Sequence, residues 1–316
     1  MVCCPVESMH ARSAIARCPP VTMLAAVLLI AAASAATSVV AANGRVCVVD
    51  DLGRDVCLDG AARRIVALSP AATELLFAAG AGDRVRGAVD YSDYPEAARA
   101  IPRVGSHARL DMERLVAMQP DLIVAWHSGN PAEQVAPLIA LGLTVFYTEP
   151  LQFEDIATSL ERLGRLAGTE TTADAVAAGY RAEIAALRAR YANTAPVRVF
   201  YQIWDEPVMT VNDTHLIGQA LQLCGGVNVF GELGRQVPRL DRESVLAAEP
   251  EAIVAGGMGE DDTDWLDDWA RFKEMPAVQR GNLYFVPPSL IQRPTPRLAD
   301  GTGVLCRKLE RARAQR

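Results

Sequence analysis

Three aromatic side chains stand where short apolar runs end: Tyr91 after residues 85–89, Trp126 after 122–125 and Trp204 after 198–203. Aromatic residues make up only 6% of the chain, so their return at one kind of position is a signal. Each offers a flat apolar face with a polar edge, which suits a large, flat, amphipathic ligand. The bland alternative is that each ring only covers the end of a sheet. A second pattern is acidic. Residues 110–125 and 240–255 are two versions of one phrase, L-D-M-E-R-L-V-A-M-Q-P-D-L-I-V-A and L-D-R-E-S-V-L-A-A-E-P-E-A-I-V-A, identical at eight of sixteen positions. Glu113 and Glu243 hold the same place in each copy, just after Asp111 and Asp241. An acid in a first helical turn gains about 0.3–1 kcal/mol from the helix dipole. The sharper alternative is two symmetric carboxylates, one per lobe, facing arginine pockets on a two-fold dimer.

Catalytic arrangements are missing: there is no G-x-S-x-G, no H-E-x-x-H and no phosphate-binding Walker loop. Gly80-Ala81-Gly82 reads as a helix stop. Beyond the first 42 residues there are three histidines, His107, His127 and His215, and nothing in their positions points to one shared metal. A binding protein without a resident cofactor is therefore expected. The alternative, a secreted hydrolase, needs a nucleophile–base pair that the sequence does not display.

These residues must be positioned by a scaffold, and its elements are readable. Short apolar runs near residues 64–70, 85–89, 122–125 and 143–147 alternate with helical stretches near 73–79, 111–118 and 132–141. That alternation predicts a parallel sheet covered on both faces. Residues 198–203 and 283–286 and the second copy of the repeat follow the same plan. Copies 130 residues apart are too distant for a solenoid and indicate one unit used in each of two similar domains. Between them, Val176, Tyr180, Ile184, Leu187 and Tyr191 recur at helical spacing, with Thr171 or Thr172 as the expected cap. The expected fold is α/β: two lobes, each with a central, mainly parallel sheet flanked by helices, joined by a single long helix. The boundaries are residues 1–42 for a leader, 43–170 and 194–316 for the lobes and 171–193 for the connecting helix. Ligands of such sheets sit at the carboxyl ends of the strands.

The leader has Arg12 and Arg17 before an apolar run over 21–36, then small-residue cleavage patterns at Ala33-Ser34-Ala35 or Val40-Ala41-Ala42. This is the pattern of a secretory signal peptide. The net charge is −7, and losing Glu7, Arg12 and Arg17 leaves −8, which argues against nucleic acid as a partner. Four cysteines remain in an oxidising compartment: Cys47, Cys57, Cys224 and Cys306. Cys47 and Cys57 fall opposite one another about the turn at Leu52-Gly53, which permits a cross-strand bond and leaves Cys224 with Cys306. Free buried thiols are the alternative at each pair.

The whole mature chain resembles the periplasmic cobalamin-binding proteins of bacterial ABC importers, within the helical-backbone class that also takes up haem and siderophores. The resemblance runs through R-I-V-A-L-S-P-A-A-T-E-L-L-F-A-A-G, D-Y-S-D-Y-P, L-D-M-E-R-L-V-A-M-Q-P-D-L-I-V-A-W, A-W-x-x-G-N, L-C-G-G-V-N-V-F and R-P-T-P-R. It implies a monomeric, non-enzymatic carrier that takes cobalamin or a related corrinoid to an inner-membrane permease dimer. It further implies that Tyr91, Trp126 and the segment Ser289, Leu290, Ile291, Gln292 and Arg293 contact the ligand. Glu113 and Glu243 match acids that dock onto permease arginines, and Cys224 and Cys306 match a disulfide pair. The best-known member of that family has tryptophans at the positions of His107 and Val237; Trp204 is expected to replace part of that stacking. His107 is expected at the rim of the cleft, with an imidazole offered to a metal centre as the alternative. Haem, with Tyr91 or His107 as axial ligand, or a siderophore is the alternative ligand.

Overall fold

The computed structural model describes residues 44–257 and 259–316. The expected leader lies outside the described residues. Strands β1 (Val46–Val49) and β2 (Asp55–Leu58) form an antiparallel hairpin with Cys47 opposite Cys57. Its turn is closed by the Asp50 carboxylate, which accepts from the amides of Leu52 and Arg54 at 3.0 Å each. The first lobe then contains β3 (Ile65–Ala67), β4 (Val85–Ala88), β5 (Leu122–Trp126) and β6 (Val145–Thr148), with α1 (Pro70–Ala78), α2 (Met112–Ala117) and α3 (Ala132–Ala140). Helices α4 (Phe153–Ala167) and α5 (Glu170–Tyr191) follow. The second lobe contains β7 (Val197–Gln202), β8 (Gly226–Asn228), β9 (Ala252–Ala255) and β10 (Leu283–Phe285). Its helices are α6 (Leu216–Leu223), α7 (Arg242–Ala247), α8 (Asp264–Trp269), α9 (Pro276–Gln279), α10 (Pro288–Ile291) and α11 (Leu298–Ala314).

Both sheets are parallel and have one topology: β4-β3-β5-β6 in the first and β8-β7-β9-β10 in the second. The duplicated phrase builds the same unit in each, down to side-chain detail. Asp111 accepts from the Arg114 amide at 3.0 Å and Asp241 from the Ser244 amide at 2.7 Å, so both copies cap their helix alike. Gln119 and Glu249 take positive φ, 48° and 43°, directly before Pro120 and Pro250, ending each helix in a left-handed residue. The next acid grips the start of each lobe's first strand. Asp121 accepts from the Arg64 amide at 2.9 Å, and Glu251 from the Arg198 amide at 3.1 Å.

Strand residues alternate between two cores. Ile65, Ala67, Leu122 and Val124 face one core, which continues through Ala173, Ala177, Tyr180, Ile184 and Tyr191 of α5 to Val197, Val199, Tyr201, Ala252 and Val254. The opposite faces, Val66, Ile123 and Ala125 in one lobe and Phe200, Ile253 and Ala255 in the other, pack into separate cores. Both faces of each sheet are thus buried, as parallel sheets require. Because the shared core runs through α5, the lobes are joined by packing as well as by chain.

Helix α5 spans 22 residues, about 33 Å. Its start differs from expectation. Thr169, not Thr171 or Thr172, precedes it, and the Thr169 hydroxyl donates to Ala79 O at 2.6 Å instead of capping the helix. Val176 and Leu187 sit at the edge of the buried stripe and Ala173 and Ala177 at its centre, because close packing against α4 favours small side chains there. Gly164 of α4 illustrates this: a Cβ would meet Ala173 Cβ at 2.3 Å. Arg181 of α5 ties back to Glu154 and Glu161 of α4.

Candidate functional site

The carboxyl ends of the two sheets face a common cleft of about 470 Å³, within the range of small-molecule sites. Nearly every strand sends its following residue there. Ser69 follows β3, Tyr91 β4, Trp126 ends β5, Thr148 ends β6, Trp204 follows β7, Gly257 β9 and Pro288 β10. In both sheets the first and third strands are adjacent, so each lobe contributes its topological switch point.

Tyr91 is 76% exposed and holds φ at 61°, a left-handed conformation that costs free energy for a non-glycine residue. Its carbonyl accepts from Arg293 Nη2 at 3.2 Å, a contact from the opposite lobe. Trp126 is held by the motif that follows it. Asn130 Oδ1 accepts from the Trp126 amide at 2.7 Å, and Asn130 Nδ2 donates to Leu68 O at 2.8 Å and His107 O at 2.9 Å. One buried amide therefore fixes three strand-end segments. Gly129 is required because the indole lies over it: a Cβ there would stand 1.9 Å from Trp126 Cε3. His107 faces Trp126 with ring centroids 6.1 Å apart. On the other wall Trp204 is half-exposed, donates Nε1–H to Glu206 O at 3.1 Å and packs edge-on to Trp265. Trp265 and Trp269 are buried, and Trp269 donates to Gln202 Oε1 at 2.6 Å.

An ionic network closes one edge of the cleft. Glu74 of α1 is 3% exposed and receives Arg293 Nη1 at 2.7 Å, Arg297 Nη2 at 2.7 Å and Arg297 Nε at 3.0 Å. Arg293 Nη1 also reaches Asp93 Oδ1 at 2.8 Å. Burial alone would raise the Asp93 carboxyl pKa, but the Arg293 hydrogen bond and charge hold it below the ordinary value. Burial alone would lower the Arg293 pKa, yet its two carboxylates raise it above the ordinary value. Arg297 lies over the Tyr94 ring, 3.7 Å from the centroid. Several lining residues, Pro70, Pro150, Pro288 and Pro294, have no N–H, so at those places the backbone offers acceptors only.

Of the residues singled out from sequence, Tyr91, His107, Trp126, Trp204, Ser289, Gln292 and Arg293 line this cleft. Val237 and Ile291 instead line an adjoining hollow of about 180 Å³ that shares Trp126, Gln292 and Arg293 with it. Leu290 lines neither. The segment coils into α10, which brings Ser289, Gln292 and Arg293 to the cleft while the Leu290 carbonyl lies against Gly301 of α11, where a Cβ would be 2.5 Å away. The cleft also holds Asp93, Thr148 and Glu260, and Glu260 accepts from Ser289 Oγ at 2.8 Å. Of these only Asp93 lay in a quoted motif, D-Y-S-D-Y-P; Asn130 was likewise visible as the last letter of A-W-x-x-G-N. The histidines are dispersed: His107 at the rim, His127 edge-on to Tyr147, and His215 at the start of α6. Among the described residues no cluster of His, Cys, Asp and Glu could hold a metal ion. Cys47 is bonded to Cys57 and Cys224 to Cys306, with Cα atoms 4.1 and 4.7 Å apart. Glu113 and Glu243 are exposed in the first turns of α2 and α7.

Two like lobes with an aromatic cleft at facing strand ends define a solute-binding protein. The chain belongs to the periplasmic binding protein family, whose model matches residues 65–290. It is 32% identical over 254 residues to the vitamin B12-binding protein of Vibrio parahaemolyticus, covering 80% of this chain and 91% of that one. It is 33% identical over 249 residues to the vitamin B12-binding protein of Yersinia pestis, with 79% and 87% covered. The crystal structure of the periplasmic vitamin B12 binding protein BtuF of Vibrio cholerae matches with a TM-score of 0.73 at 32% identity, covering 80% of this chain and 98% of that one. The periplasmic heme-binding protein RhuT from Roseiflexus shares the fold, with a TM-score of 0.71 at 23% identity over 80% of this chain and all of that one.

Proposed function

We propose that this chain is an exported periplasmic carrier that captures cobalamin or a related corrinoid and hands it to an ABC permease. The observation that carries the reading is the pair of flat rings, Tyr91 and Trp126, held at the ends of the two strands that flank β3 in one lobe and faced by Trp204 from the other. A planar macrocycle between them would bury both faces, and each aromatic contributes on the order of 150–250 Å² of contact. Polar side chains of the wall, among them Ser69, Thr148 and Gln292, offer hydrogen-bonding groups to the amides that fringe a corrin. The resemblance to vitamin B12-binding proteins over most of the chain supports the same ligand.

In this reading the protein acts by binding alone, works as a monomer and needs no cofactor. Its N-terminal leader directs export. The shared core through α5 favours modest closure over wide hinge motion. Glu113 and Glu243 project from equivalent helices of the two lobes and would meet two equivalent cations of a permease dimer.

Absorbance titration of the ligand-free protein with cyanocobalamin, then with hemin, tests the ligand. The expected result is tight cyanocobalamin binding, weakened about ten- to a hundredfold in Tyr91→Ala and Trp126→Ala. Tight hemin binding lost in His107→Ala, without corrinoid binding, would establish the haem alternative instead. For docking, Glu113→Ala combined with Glu243→Ala should leave cyanocobalamin affinity unchanged and abolish coupling to uptake. Survival of coupling would reduce both acids to helix-start residues.

A further inference from the structure

The duplicated phrase extends one residue upstream of its leucine. Arg109 and Arg239 occupy the same place, so each lobe reads R-L-D-x-E, from Arg109 to Glu113 and from Arg239 to Glu243. Parts of this motif have structural work. Leu110 is buried, Leu240 packs at the edge of the second lobe's outer core, and Asp111 and Asp241 cap their helices. The arginine side chain has no such task, and the glutamate's is limited to the favourable helix dipole. All four are exposed, and among the described residues none of them forms an ion pair.

Local stability does not account for the arginines. The amino end of a helix carries partial positive charge, so a cation placed just before it is unfavourable. The neighbouring positions are not repeated. Met112 matches Arg242, whose guanidinium is engaged by Asp268 at 3.2 Å and Asp205 at 3.7 Å, and Arg114 matches Ser244. What the duplication keeps exposed is one free cation and one free anion per lobe. Both arginines are also tied by backbone to the wall of the cleft. Arg109 lies in the Gly105–Leu110 hairpin that carries His107, and Arg239 bridges Met209, which bridges Trp204.

We infer that Arg109 and Arg239 complete a two-point docking surface in which each lobe offers a cation beside an anion. The partner it fits is a two-fold symmetric membrane protein that presents a carboxylate beside a cation at each of two equivalent points. This rests on the carrier reading above. Charge complementarity selects such a partner over an anionic bilayer, which would repel Glu113 and Glu243 at the same positions.

The test is cyanocobalamin uptake into right-side-out membrane vesicles carrying the importer, with this protein added as the carrier. Arg109→Glu combined with Arg239→Glu should raise the concentration for half-maximal uptake about tenfold at low ionic strength, with a smaller effect at high ionic strength. Arg109→Lys with Arg239→Lys should behave as wild type, and cyanocobalamin affinity in solution should be unchanged in both. If the reversal variant supports uptake as well as wild type while Glu113→Ala with Glu243→Ala does not, the arginines have no docking role and the carrier reading stands. If wild type neither binds cyanocobalamin nor supports uptake, the carrier reading fails and takes this inference with it. Flotation with phosphatidylglycerol vesicles covers the remaining partner: binding by wild type that is lost in the reversal variant would assign the arginines to lipid and overturn the inference.

Discussion

Arg293 Nη1 stands 2.7 Å from Glu74 Oε1, although the two residues are 219 positions apart and belong to opposite lobes. Arg297 holds the same carboxylate, and Arg293 also holds Asp93 and the Tyr91 carbonyl. One buried acid thus anchors the arginine that fixes the backbone of a cleft-lining ring. Removing one partner of a buried ion pair leaves the other charge uncompensated, at a cost of about 3–5 kcal/mol. Glu74→Ala should lose stability on that scale in urea unfolding, and its cyanocobalamin affinity should fall as Tyr91 loses its anchor. Full stability in the variant would show that solvent compensates the arginines and that the latch is not needed.

The position of the Trp126 indole depends on the absence of a side chain at Gly129. A Cβ there would lie 1.9–2.3 Å from three ring atoms. Gly129→Ala must therefore displace the ring while leaving the sheet untouched. Cyanocobalamin affinity is expected to fall at least tenfold, with a changed tryptophan emission spectrum and nearly unchanged thermal stability. Unaltered affinity would mean that Trp126 contributes little to the ligand face.

Much of this architecture is legible in the chain because it is local or repeated. Tyr91, Trp126 and Trp204 stand out as rings at the ends of apolar runs, and two copies of one phrase announce two like lobes. The parts that escape are those set by distant partners. Neither Glu74 nor Asp93 signals that arginines some 200 residues later will hold it. Residues 289–293 read as one contact segment, but a helical turn rotates Leu290 away from the cleft. Helix α4 is legible only from Ile156, Leu160 and Leu163, which recur at helical spacing and are all buried. The cap of α5 is misplaced because the Thr169 hydroxyl finds a tertiary acceptor, Ala79 O, that no local pattern reveals.

The two disulfides should differ in their contribution. Cys224 and Cys306 are 82 residues apart and both fully buried, whereas Cys47 and Cys57 are 10 apart in strands that already pair. In the chain-entropy model the longer loop contributes about 4 kcal/mol and the shorter about 3 kcal/mol, the latter further reduced where the hairpin persists in the unfolded chain. Urea titrations of Cys224→Ala with Cys306→Ala and of Cys47→Ala with Cys57→Ala should show the larger loss in the first. The reverse order would indicate that the hairpin bond, not the second lobe's bond, limits unfolding.

Acid should weaken the second lobe through His215. Its Nδ1 accepts from the Ile217 amide at 3.1 Å, which only the neutral ring can do, and burial pushes its pKa down from 6.5 to about 4. Glu149 and Arg293 line the same hollow. Between these two pKa values the unfolded chain binds a proton that the folded one refuses, so stability rises with pH across that window and is constant above it. The full span is worth about 3 kcal/mol, of which about 2 kcal/mol separates pH 5 from pH 7. His215→Asn keeps an amide oxygen able to cap α6 but does not titrate. Urea unfolding at the two pH values should show the difference in wild type and a loss of about 2 kcal/mol of it in the variant. An equal pH dependence in both proteins would place the acid sensitivity elsewhere.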